Sequence, residues 1–232
     1  MKRNVLLSLI ILASYGAKAQ FYGYETPVEM PSMGVYDTSM MTMYLQGLRE
    51  RAALNERMWE ILRPVYEQAY GLYNSGKYSD CDELVSKVFR TYTFYNGQEY
   101  LYARLVYLKG MSHIKLGSLD SGISLLVMAM DDGDLEARTE LNGLFNSLYN
   151  TALVCYNRAE YSRCLSNINT ALKTKHASGD AYILGGQAAE ALNAFEDAKQ
   201  WYKLAKKAGS PIANEKLKSL RVKQKELNNN QK

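Results

Sequence analysis

The chain of 232 residues has only two histidines, three cysteines and four prolines, and each scarcity excludes a class of protein. His113 and His176 stand far apart, and no cluster of His, Cys, Asp and Glu has the spacing a zinc or calcium site needs. Asp131-Asp132-Gly133-Asp134 gathers carboxylates without the alternating spacing of a calcium loop. Gly133 therefore reads as a helix stop and Asp134 as the N-cap of the next helix. Cys81, Cys155 and Cys164 are too few for a disulfide framework. No glycine-rich phosphate loop precedes a helix, and no nucleophile elbow is present. The sequence carries no positive sign of an enzyme, a metal or a cofactor.

A long apolar run is also missing. Val5 to Leu12 falls well short of the roughly 20 residues that cross a bilayer. With Lys2 and Arg3 before it and Ala17-Lys18-Ala19 after it, the stretch 1–19 reads as a signal peptide, with the mature start at Gln20. The expected location is the periplasm, with the cell surface or secretion as alternatives. Removing Lys2, Arg3 and Lys18 lowers the formal charge from +4 to +1. From Lys206 onward eight basic residues face Glu215 and Glu226, so the tail carries +6 and residues 20–205 carry −5. Export argues against nucleic acid as the partner of that tail, which reads as the solvated end of a helix.

Laying the chain on itself shows a repeat. Gly76-Lys77-Tyr78-Ser79-Asp80-Cys81, Gly117-Ser118-Leu119-Asp120-Ser121-Gly122, Ala159-Glu160-Tyr161-Ser162-Arg163-Cys164 and Asn193-Ala194-Phe195-Glu196-Asp197-Ala198 share one pattern. Each has a turn-permissive residue, an apolar one two places on, and a small one three after that. Twelve residues before each small residue lies another, in order Ala69, Gly110, Ala152 and Gly186. Four residues after it comes a larger group, Val85, Leu126, Ile168 or Tyr202, and seven after it Val88, Ala129, Ala171 or Ala205. Small side chains facing each other let two antiparallel helices nest, while the larger ones fill the interior between pairs. Cys81 and Cys164 occupy the small slot as buried apolar groups. Cys155 lies nine residues before Cys164 on the facing helix, which leaves a bridge between them open.

These registers resemble the tetratricopeptide repeat family, in an exported bacterial member. The spacings between Tyr78, Leu119, Tyr161 and Phe195 are 41, 42 and 34 residues, and the last equals the family's repeat length. The first family position holds Val65, Val106, Leu148 and Tyr182 instead of Trp, and Pro211 falls one place late. The resemblance implies an all-α fold, a right-handed superhelical solenoid of about four antiparallel helix pairs over 64–209. It also implies a protein or peptide partner on the concave face lined by the first helix of each pair. Projected onto that face are Arg63, Tyr66, Tyr70 and Tyr73, then Arg104, Tyr107, Met111 and Lys115. The third pair adds Tyr149, Leu153, Tyr156 and Asn157, the fourth Ile183, Gln187 and Glu190. Six tyrosines converge there, and tyrosine is enriched in binding surfaces. The family's Lys, Asn and Arg clamp for C-terminal carboxylates is only loosely matched by Asn150, Asn157, Arg104 and Lys115.

Outside the repeats, 20–36 lacks helical or strand periodicity and reads as an extended arm bearing Phe21, Tyr22, Tyr24, Met30, Met33 and Tyr36. The stretch 37–63 reads as a long amphipathic helix with Met41, Leu45, Leu48, Ala52, Asn55, Trp59 and Leu62 on one stripe. It either covers the first repeat or pairs with a partner helix, and Pro64 kinks it or starts the array. Ser210-Pro211 opens a capping helix over 210–227, and 228–232 is expected to be disordered. The function expected is a non-enzymatic adaptor or scaffold in the cell envelope. The alternative is a structural subunit of an envelope or secretion assembly, docking through its arm and first helix.

Overall fold

A computed structural model of the protein describes residues 38–94, 99–176 and 178–230. Among them all regular structure is helical: α1 Thr38–Asn74, α2 Tyr78–Thr91, α3 Glu99–Lys115, α4 Leu119–Asp131, α5 Leu135–Asn157, α6 Tyr161–Leu172, α7 Gly179–Ala191, α8 Phe195–Lys207 and α9 Ala213–Asn230. The stretches 1–19 and 20–36, expected to be a leader and an arm, lie outside the described residues.

The four turn residues of the repeat share one backbone conformation. Gly76, Gly117, Ala159 and Asn193 all have left-handed φ, at +74°, +85°, +59° and +60°. Each ends a helix so that the next residue's N–H reaches five residues back: Lys77 to the Leu72 carbonyl at 3.0 Å, Ser118 to His113 at 2.8 Å, Glu160 to Cys155 at 2.9 Å and Ala194 to Ala189 at 2.9 Å. This closure satisfies carbonyls that a helix end otherwise leaves orphaned. Gly133 and Gly209 end α4 and α8 in the same way. Three residues connect the two helices each time, which makes α1/α2, α3/α4, α5/α6 and α7/α8 antiparallel pairs.

Packing inside the pairs follows the small residues. Ala69, Cys81, Ala152, Cys164 and Ala198 are fully buried. A side-chain carbon on Gly122 would stand 2.8 Å from the Gly110 carbonyl oxygen, so α3 and α4 meet backbone to backbone. In the fourth pair the bare backbone serves a different neighbour. A carbon on Gly186 would fall 2.3 Å from the Tyr202 ring, and one on Gly185 2.9 Å from Trp201. There the glycines make a flat floor for two aromatic rings, one of which, Tyr202, is wholly buried.

Each helix packs on its sequence neighbours, and within the second, third and fourth pairs that association is closer than any between pairs. The core accordingly runs as three clusters that share Leu148, then Leu165 and Trp201, at their borders. A continuous core built from neighbour contacts alone is how a solenoid is stabilised. The fold is an all-α, tetratricopeptide-like array of four helix pairs with a long first helix and a C-terminal capping helix.

Two boundaries differ from the sequence expectation. α1 runs unbroken through Pro64, on whose exposed side water can hydrate the Glu60 carbonyl left without its N–H partner. Met58, Trp59 and Leu62 join the first core, whereas Met43 near the helix start is 73% exposed. The part of α1 that closes the array is therefore its middle. α9 starts at Ala213 and carries through 228–230, which had been expected to be disordered. Ala213 and Leu220 are buried against α8, and the half-buried Leu217 packs beside them. Among the described residues no helix is long and apolar enough to cross a membrane.

Candidate functional site

Arg104 organises the first half of the tyrosine face. One end of its guanidinium donates to the Tyr66 hydroxyl at 3.0 Å, and the other reaches Asp134 at 3.2 Å and Glu136 at 3.0 Å. Its plane lies over the rings of Tyr66 and Tyr107, 5.9 and 5.1 Å from their centres. Burial works against the charge, but the bonds to Tyr66 and Glu136 and the nearby Asp134 more than offset it, so the cation is held more firmly than usual. Asp134 also accepts the Ala137 N–H at 2.8 Å, which makes it the N-cap read from the sequence. One side chain thus ties α1, α3 and the start of α5 together. Arg104 is not the free clamp residue that its projection onto the face suggested.

Tyr107 and Met111, expected on the open face, are each only 8% exposed and belong to the first core. The first turns of α5 reach α3 through Glu136 and share its core through Ala137 and Leu141. Burial pushes the Tyr107 phenol upward, with Glu140 and Glu136 adding to the effect and Arg104 opposing it.

What remains accessible nearby is an aromatic ladder on α1. The rings of Trp59 and Tyr66 lie 6.3 Å apart, and Tyr66 stacks on Tyr70 at 6.2 Å. Tyr70 is 47% exposed, and Tyr66 and Tyr73 are half-buried. Tyr73 packs on Tyr78 at 5.4 Å. Burial raises its phenol first, followed by the charges of Tyr78, Glu140 and Cys81. Arg63, at the edge of the ladder, is paired with Glu67 at 2.9 Å.

The second half is separate. Tyr149 stacks nearly parallel on Phe145 at 6.0 Å, and Phe145 in turn meets His176 at 4.4 Å. Tyr156 sits edge-on to Tyr161 at 5.5 Å. Leu153 and Gln187 are half-buried, and Asn157 and Lys115 are exposed. Ile183 is 5% exposed and lies in the third core. Glu190 is also committed internally: it accepts from the Tyr202 hydroxyl at 2.9 Å and from Lys223 at 3.1 Å, fastening α9 to α7 and α8. The projected residues therefore form two aromatic clusters, one on α1 and one on α5.

Trp59, Glu136 and Glu140 lie among these residues but are absent from the sequence projection. For the two glutamates the signal was the long interval from Leu119 to Tyr161, whose extra residues are the early turns of α5. The three cysteines are free. Burial, with Cys155 beside it, pushes the Cys164 thiol up to about 11. His113 bonds Asp82 at 3.0 Å through Nε2, and Lys109 joins the same carboxylate and Ser86. His113 thus ties α3 to α2 of the preceding pair.

No protein-family model matches the chain, and no curated protein matches it. Among solved structures it is similar to the TPR2AB-domain:pHSP90 complex of yeast Sti1, at 14% identity over 74% of this chain and 76% of that chain, with a TM-score of 0.34. A superposition of that quality carries no inference by itself, and the assignment of a tetratricopeptide-like array rests on the four registers, the shared turn closure and the helix order.

Proposed function

We propose that the chain is a non-enzymatic protein-binding module of the bacterial cell envelope, exported by cleavage after Ala19, that holds an extended protein or peptide segment against its tyrosine face. The observation that carries this reading is the Trp59–Tyr66–Tyr70 ladder, aromatic, partly open to solvent, and fixed at Tyr66 by Arg104. Rigid aromatic side chains give contact area and a hydroxyl for backbone groups at little entropic cost on binding.

The test is Tyr70→Ala, at a position where truncation leaves the core intact. Cross-linking in the native envelope, quantified by mass spectrometry, should show the principal adduct reduced about tenfold while the melting temperature holds. Unchanged capture would contradict the proposal. Tyr107→Ala is unsuitable for this purpose because it opens a cavity in the first core. Deleting residues 20–36 separates this reading from a structural subunit that docks by its arm: capture persists under ours and assembly fails under the other. N-terminal sequencing of the envelope form should begin at Gln20, and an intact Met1 would overturn the export reading.

A further inference from the structure

Resting on the reading that this face binds a protein segment, we infer that the segment is cationic and presents a Lys or Arg side chain to Tyr73 beside Glu140, at the end of the Tyr66–Tyr70 ladder. The charges at the face carry the argument. Glu140 follows Glu136 by one turn of α5, and Glu136 is bonded to Arg104. Glu140 therefore lies beside the next turn of α3, where Tyr107 stands, and the phenols of Tyr73 and Tyr107, raised chiefly by burial, are raised further by its charge. Among the described residues no cation pairs with Glu140, whereas the neighbouring carboxylates are occupied, Glu67 by Arg63 and Asp134 and Glu136 by Arg104. Both cations at this part of the face are thus already neutralised. Lys115 lies eleven residues past Arg104, about 16 Å along α3. A partner's C-terminal carboxylate would meet Glu140 with no free cation to receive it.

Two neighbouring rings already hold a cation. Arg104 is seated over Tyr66 and Tyr107 with a carboxylate at its edge, within the range in which a cation is attracted to an aromatic face. Tyr73, half-buried and packed on Tyr78, with Glu140, unpaired among the described residues, near it, brings a ring and a carboxylate to the same part of the face.

The test uses the mature chain and three fluorescein-labelled ten-residue peptides of alternating Ala with Lys, Gln or Glu, read by fluorescence anisotropy. The Lys peptide should bind about tenfold more tightly than the Gln peptide. Glu140→Gln, close in shape and neutral in charge, should erase that difference and leave the Gln peptide unchanged. Glu83→Gln, at an exposed carboxylate on α2, should leave both unchanged, which separates a local site from the general acidity of the body. Equal or tighter binding of the Gln or Glu peptide overturns the cationic preference while the binding face stands. Failure of all three peptides to bind, with the circular dichroism melt unaltered, overturns both.

Discussion

The carbonyl oxygen of Gly110 lies 2.8 Å from where a side-chain carbon on Gly122 would stand, and that carbon would also meet Ile114 at 2.4 Å. A backbone atom cannot step aside as a flexible side chain can. Gly122→Ala should therefore destabilise the protein by about 2 to 3 kcal/mol, measured by urea denaturation. Gly143, in the exposed face of α5 with nothing within 4 Å, gives the opposite sign. Gly143→Ala should stabilise by about 1 kcal/mol through helix propensity alone.

Ala159 ends α5 at φ +59° with a side chain that disfavours this region. The equivalent positions Gly76 and Gly117 carry no such strain. Ala159→Gly should raise stability by about 1 kcal/mol, visible as a higher midpoint in the same denaturation experiment.

Arg104 is 11% exposed and Asp134 1% exposed in the pair that joins α3 to α5. Removing the cation leaves a buried carboxylate uncompensated, so Arg104→Ala should cost about 3 kcal/mol. Adding Asp134→Asn should recover part of that loss, since Asn still caps α5 while the stranded charge is gone. A double-mutant cycle measures the coupling, and purely additive losses would contradict this account of the hub.

Alkaline pH should weaken the fold. The Cys164 thiol moves from its usual 9.0 up to about 11 in the folded chain, because burial disfavours the thiolate and Cys155 lies close. Between about pH 9 and 11 the unfolded chain therefore releases a proton that the native chain keeps, and stability falls by up to about 1.4 kcal/mol per pH unit. Tyr202 is raised by burial and then by its bond to Glu190, which extends the loss to higher pH. Cys164→Ala should flatten the lower part of that profile when unfolding free energy is measured against pH.

The repeat was legible in the sequence because close packing leaves a strict signature. A turn residue in left-handed φ, a small residue at each contact and a larger one a turn later recur at fixed offsets, and Asp134 announced itself as a cap. The face was less legible. Repeat registers specify which side of a first helix looks inward, but not whether a neighbour already covers it. Tyr107 and Met111 are buried in the first core, and at Arg104 the charge is satisfied from two other helices. Gly186 shows the same limit within the core: its small size was read as room for Ala198, and it makes room for the Tyr202 ring.

The central claim is that the tyrosine face, and not the outer surface of the second helices, holds the partner. A photo-cross-linking amino acid placed at Tyr70, and separately at Glu83 on the outer surface, tests it in the native envelope. The account predicts one dominant adduct from position 70, lost when unlabelled mature chain competes, and no such adduct from position 83. Equal adducts from both positions, or an adduct from position 83 alone, would contradict it.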